Sequence, residues 1–281
     1  MVKTICVCGA GTMGSGIALV AAQSGFLTTQ YDVDMEMLEK SRANIKKNLQ
    51  VHISRKKLTE EESTTILSRL TFTNNIKDCI ADIIIEAIVE NLDAKADLFN
   101  QLAGLNTVQT IFATNTSSLS ITDIASKVTY STQVVGMHFF NPAPVMKLVE
   151  VVKGRKTNEA VIKTIYELAV QMQKTPVLCK DSPGFIVNRI ARPYYLEALK
   201  LIELGIADIE TIDKALESTG FKMGPFKLMD LIGMDVNYNV SNVVWQAIGK
   251  PGRLTPSDIQ KTKLDAGELG RKTGKGFYGY E

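Results

Sequence analysis

Three glycines near the start of the chain constrain its fold more than any other feature. Residues 3–8, Lys-Thr-Ile-Cys-Val-Cys, read as a short buried strand, and Gly9-Ala10-Gly11-Thr12-Met13-Gly14 follow without a gap. From Ser15 to Ser24 the chain is small and apolar with no breaker after Gly16, a helix that Gly25 stops. Residues 26–31 read as a second strand, ending at Asp32, 23 positions after Gly9. In such a β-α-β unit each glycine has a mechanical task. Gly9 permits the tight turn out of the strand, Gly11 lets the backbone approach a pyrophosphate, and Gly14 lets the helix pack close to the sheet. The helix N-terminus, Thr12 and Met13 included, then presents unpaired N–H groups to phosphates. The glycine pattern alone is a weak signal, compatible with a turn that binds nothing. Between a strand and a helix, with Asp32 in place, it indicates dinucleotide binding. Asp32 would accept hydrogen bonds from the adenosine ribose and repel a 2′-phosphate, so NAD is expected over NADP; the plainer reading is a surface aspartate at a strand end.

Further apolar segments bounded by polar residues read as strands: 82–86, 110–114, 133–137, 148–152 and 176–178. Helical stretches separate most of them, which predicts a Rossmann-like, doubly wound, mostly parallel sheet. Residues 34–70 are charged and helix-compatible, a long helix or helical pair whose thin apolar stripe predicts that it projects. The texture changes at Asp181-Ser182-Pro183-Gly184. Beyond it no strand is evident, and 185–204, 208–218 and 226–248 read as amphipathic helices. The expected domains are therefore 1–182, binding the dinucleotide, and an all-helical 183–281.

The chain has 281 residues, 45% hydrophobic, enough for a sizeable core. A formal net charge of +2 gives no support for a nucleic-acid partner. None of the four cysteines forms a CxxC pair, and Cys6 and Cys8 share one strand face, which suits buried thiols in a reduced compartment. No apolar run is long enough for a membrane span. The chain enters a strand at once, so the expectation is a cytoplasmic protein or the mature form of one whose leader was removed.

His138 ends an apolar strand, and strand C-terminal ends in open α/β sheets are where ligands bind. A lone histidine by an apolar run is more often a satisfied core residue. Glu150 lies 12 residues on, inside Leu148-Val149-Glu150-Val151-Val152. It either faces water at a sheet edge or, if buried, needs a partner. A Glu150–His138 pair would fix the imidazole tautomer and suit it to shuttle a hydroxyl proton. The Asn115-Thr116-Ser117-Ser118-Leu119-Ser120 segment follows another strand end. Its polar groups suit a substrate oxygen or a ribose, while Ser118 or Ser120 equally suits a helix cap before Ile121. Asn188, in the first turns of an apolar helix, is open to a cleft role or a local hydrogen bond. Lys47, Arg55, Lys56 and Lys57 form a basic cluster, either a solvated face or an attractor for an anionic ligand.

Taken together, these segments resemble the 3-hydroxyacyl-CoA dehydrogenase family over essentially the whole chain. The carriers are Gly9 to Ala18, Glu86-Ala87-Ile88-Val89-Glu90-Asn91-Leu92, Asn115 to Leu119, His138 to Val151, Ser182 to Arg189, Met223-Gly224-Pro225-Phe226 and Gly274-Lys275-Gly276-Phe277-Tyr278. The resemblance implies NAD as cofactor and an acyl-CoA substrate, 3-hydroxybutyryl-CoA being favoured. It implies His138 as catalytic base with Glu150 its partner, and Ser117 and Asn188 holding the substrate oxygen. Glu90, Lys95, Asn141 and Lys272 match positions near the NAD ribose, phosphates or nicotinamide. Arg55 stands where many relatives carry a lysine approaching coenzyme A, and Asn48 where some carry a serine, so these two positions depart from the pattern. The family's helical domain forms a homodimer. The alternatives are a related dehydrogenase acting on a non-thioester hydroxyacid and a non-catalytic NAD-binding module.

Overall fold

The structure, a computed structural model, describes residues 2–280. Its strands are β1 (Thr4–Cys8), β2 (Leu27–Tyr31), β3 (Leu70–Thr73), β4 (Ile83–Glu86), β5 (Ile111–Thr114), β6 (Val134–Phe139), β7 (Leu148–Lys153) and β8 (Thr175–Lys180). They form one sheet in the order β3-β2-β1-β4-β5-β6-β7-β8. All neighbouring pairs are parallel except β6 with β7. Every residue of β4, β5 and β6 is buried. Helices cover both faces of such strands, which is why they read as mostly apolar runs rather than alternating ones, with the polar Glu86, Thr114 and His138 near their C-terminal ends.

The first helix, α1 (Thr12–Gln23), is buried on all sides from Gly14 to Ala22. Only small or aliphatic residues fit there, hence its uniform texture. The charged segment after β2 forms two helices, α2 (Met35–Ser54) and α3 (Glu60–Ser68). The expectation that this segment projects is corrected: Ile45, Leu49 and Ile66 pack with Leu19 and Ala22 of α1. Four buried positions on α2, Leu38, Ser41, Ile45 and Leu49, suffice as its inner stripe. The unforeseen strand β3 follows α3. The remaining helices of this part are α4 (Leu92–Ala103), α5 (Ile121–Ser126) and α6 (Glu159–Gln171). Ser120 caps α5, its hydroxyl accepting the Asp123 N–H.

The chain divides into two compact units between Ser182 and Pro183. The second holds α7 (Val187–Glu203), α8 (Ile209–Ser218), α9 (Pro225–Ile232), α10 (Met234–Ala247) and α11 (Asp258–Asp265). Leu199, Phe226, Met229 and Met234 are among its core residues. Two buried carboxylates pin the tail. Asp230 accepts the Phe277 and Tyr278 N–H groups and the Tyr280 hydroxyl, each at 2.9 Å. Asp213 accepts the Phe226 and Lys227 N–H groups and the Tyr278 hydroxyl. A buried charge persists only with such a full set of donors. Among the described residues, no helix is long and apolar enough to cross a membrane.

Candidate active site

Only eight residues separate β6 from β7. A parallel return needs a crossover of about a dozen residues or more, so the pair must be antiparallel. The register sets His138 directly opposite Glu150, and opposed residues share one face of the sheet. His138 Nδ1 and Glu150 Oε2 lie 2.7 Å apart. The glutamate is fully buried and the histidine nearly so, which removes the water-facing reading of Glu150. A carboxylate accepts only from Nδ1–H, so Nε2 is the nitrogen left to exchange a proton in the neutral ring. Asn115, just past β5, accepts the Phe139 N–H through Oδ1 at 2.8 Å, which ties the next strand end to this pair.

Beside it lies a second polar assembly. The carboxylate of Glu90 gathers the segment after Asn115: its Oε1 accepts the Thr116 hydroxyl (2.5 Å), the Ser117 N–H (3.1 Å) and the Ser118 hydroxyl (2.9 Å). Its Oε2 lies 3.1 Å from Lys95 Nζ, which also donates to Glu86 Oε1 at 2.6 Å. Burial pushes the Glu90 carboxyl up, but Lys95 and the Thr116 and Ser118 hydroxyls outweigh it and hold the group below the ordinary carboxylate range. Lys95 is 1% exposed, so it lies under the surface that Glu90 shapes.

The glycine turn fits a dinucleotide. A Cβ on Gly9 would stand 2.5 Å from the Ala87 carbonyl oxygen, and one on Gly14 would stand 2.0 Å from that of Gly9. At Gly11 no atom lies within 4 Å of that position, which leaves an open approach to the backbone. The N-terminus of α1 carries no side-chain cap, so its first N–H groups are left for a ligand. Thr12 is exposed and Met13 half-buried at this end. Behind the turn, Gln30 donates to the Gly9 carbonyl and accepts from Ser41, whose hydroxyl lies 2.7 Å from that of Ser15. Asp32 accepts the Ala10 and Asp34 N–H groups, one on each oxygen. Each oxygen keeps a second lone pair for a ribose hydroxyl.

Other candidates are placed less centrally. Asn141 is exposed in the β6–β7 loop, where its peptide bond to Pro142 is cis. Lys174, unmarked in the sequence reading, donates from its buried ammonium to the Ala143 and Met146 carbonyls of that loop. Asn48 is exposed on α2 and donates to Asn44 in its own helix. Arg55 is the exposed C-cap of the same helix, beside exposed Lys56 and Lys57. In the second unit, Asn188 lies in the first turn of α7 and its carbonyl accepts from Arg192 Nε. Lys272 donates to Asp235 in a tight ion pair. Glu86, quoted above only within a family motif, and Thr114 carried no site role in the sequence reading. The available signal was the one charge in the apolar strand Ile83-Ile84-Ile85-Glu86.

A mostly parallel sheet with an open, uncapped glycine turn at α1 is the frame of a dinucleotide-binding protein, and the same sheet carries a buried imidazole–carboxylate pair further along. Comparison with known proteins gives the particular kind. Residues 4–182 match the 3-hydroxyacyl-CoA dehydrogenase NAD binding domain, and residues 184–280 match the C-terminal domain of the same enzymes. The chain belongs to the 3-hydroxyacyl-CoA dehydrogenase family. It is 46% identical to the 3-hydroxyadipyl-CoA dehydrogenase of Escherichia coli over 99% of its length, while spanning 59% of that longer protein. It is 40% identical to a probable 3-hydroxybutyryl-CoA dehydrogenase of Bacillus subtilis, covering 100% of this chain and 98% of the relative. The crystal structure of (S)-3-hydroxybutyryl-CoA dehydrogenase from Ralstonia eutropha superposes with a TM-score of 0.95 at 36% identity, with both chains covered fully.

Proposed function

We propose that this chain interconverts (S)-3-hydroxyacyl-CoA and 3-oxoacyl-CoA, with 3-hydroxybutyryl-CoA and acetoacetyl-CoA as the preferred pair. The observation that carries the reading is the buried His138–Glu150 pair at 2.7 Å. In the oxidative direction the substrate 3-hydroxyl lies against His138, and Nε2 takes its proton. Bound NAD supplies the acceptor for the hydride leaving C3. Glu150 stabilises the imidazolium formed, and in the reductive direction His138 returns the proton to the new alkoxide. Ser117 and Asn188 hold the substrate oxygen. Gly9, Gly11, Thr12, Met13, Gly14 and Asp32 hold the cofactor, with Glu90, Lys95, Asn141 and Lys272 shaping its surroundings. Asn48 and Arg55 face coenzyme A, and the second unit carries the homodimer contact.

General acid–base assistance of this kind is worth about 10²–10⁴ in rate. His138→Gln is therefore expected to lower acetoacetyl-CoA reduction by about that factor while NADH binding, read by fluorescence, stays near wild type. Near-wild-type turnover would remove His138 from the mechanism. A second reading has one observation behind it, the E. coli relative's name, which specifies a 3-hydroxyadipyl thioester. Comparing acetoacetyl-CoA with 3-oxoadipyl-CoA as oxidants of NADH separates the two. Turnover of non-thioester 3-oxoacids alone would displace both.

A further inference from the structure

One lysine sealed between two glutamates is more than charge balance requires. Lys95 and Glu86 are 1% and 0% exposed, and Glu90 keeps 29% of its side chain open. A single carboxylate would neutralise the ammonium. The second adds a desolvated negative charge, which costs stability unless it is fully hydrogen-bonded. Glu86 is so bonded. Its Oε1 accepts the Ile88 N–H at 2.8 Å along with Lys95, and its Oε2 accepts the Thr114 hydroxyl at 2.6 Å. Thr114 is its register partner on β5, so the carboxylate straddles the ends of two adjacent strands.

Each group in this series is held by the one before it. The strand ends fix Glu86, Glu86 fixes the Lys95 ammonium, and Lys95 holds Glu90 by Oε2. Glu90 then has only Oε1 for Thr116, Ser117 and Ser118. We infer that Glu86 is a positioning residue which, through Lys95, sets where Glu90 holds the 116–118 segment against the cofactor. Without Glu86 the ammonium would draw its whole compensation from Glu90 and pull that carboxylate away from the segment. The inference rests on the reading above that Glu90 and Ser117 face the cofactor and substrate.

The test is a set of NADH dissociation constants, read by cofactor fluorescence, for Glu86→Gln, Glu90→Gln, the double variant, and the same changes in a Lys95→Met background. Groups in one network couple rather than add. Glu86→Gln and Glu90→Gln are each expected to weaken NADH binding by about tenfold, with the double variant no worse than about twofold beyond either single one. In the Lys95→Met background, Glu86→Gln is expected to add nothing. If Glu86→Gln fails to fold, Thr114→Val keeps every charge while releasing one oxygen of Glu86, and is expected to weaken NADH binding by about two- to fivefold. Additive effects, persistence of the Glu86 effect without Lys95, or Thr114→Val and Glu86→Gln both at wild-type affinity would overturn the inference. Acetoacetyl-CoA reduction by the wild type is measured alongside. NADH binding without thioester turnover would sink the proposed function and leave the coupling still readable.

Discussion

Gly11 and Gly14 stand three positions apart and respond oppositely to a methyl group. At Gly14 the methyl meets a backbone carbonyl that cannot move without opening the turn, while at Gly11 it meets nothing within the protein. Gly14→Ala is expected to lower Tm by about 5 °C or more and to abolish NADH binding. Gly11→Ala is expected to leave Tm within about 2 °C yet weaken NADH by tenfold or more, because the methyl fills the pyrophosphate's approach. Calorimetry with a fluorescence titration checks both, and equal behaviour of the two variants would refute the assignment of the turn. Asp32 has its own test. A 2′-phosphate placed against its carboxylate meets a like charge, so NADPH is expected to support reduction about a hundredfold less well than NADH in kcat/KM. Comparable use of both cofactors would remove Asp32 as the selector. The turn itself was legible in the sequence because it is local: its glycines, the helix start and the strand end lie within 24 positions of one another. The Glu86–Lys95–Glu90 assembly was not legible as a unit, since its members meet only once β4, β5 and α4 are in place.

At the scale of elements, the sheet was readable from its apolar segments, and two departures have physical causes. Leu70-Thr71-Phe72-Thr73 is a half-buried edge strand of four residues, too short for its alternation to stand out. The antiparallel β7 hides among parallel neighbours because a strand buried on both faces reads the same in either direction. The loop length between β6 and β7 carried the missing information. The short helix α11 also went unread, being mostly polar with Gln260 its one buried residue. Next to it, Glu268 binds Lys275 and Lys263, which hold its carboxyl down to about 2. Its folded value lies below the ordinary carboxylate value of about 4.3. The stabilisation is therefore complete above that value and fades as pH falls toward about 2. Exchange of the Gly276–Tyr280 amides, corrected for intrinsic rates, is expected to quicken below about pH 4, and Glu268→Gln to quicken it at neutral pH. Unchanged protection in both experiments would show that the ion pairs contribute nothing to holding the tail.

For the molecule as a whole, the helical unit leaves apolar surface exposed. A groove of about 410 Å³ is lined by Tyr194, Leu201, Ile212 and Leu216 among others. Leu204, Ile206 and Phe221 lie open to solvent. Apolar surface of this kind marks interaction sites in soluble proteins. If this is the homodimer contact, light scattering is expected to give twice the chain mass, and Leu201→Glu to halve it; a monomeric wild type would overturn the assignment. The pinned tail adds a constraint of another sort, on the order of events during synthesis. Asp230 is sealed in its unit by donors 47 to 50 residues later in the chain. At translation speeds of about 5–20 residues per second, the ribosome makes the carboxylate roughly 2–10 s before the groups that neutralise its burial. For that interval the helices around Asp230 are expected to stay loosely closed, because shutting them would bury a bare charge. The compaction of these helices is thus expected to wait for residues 277 to 280.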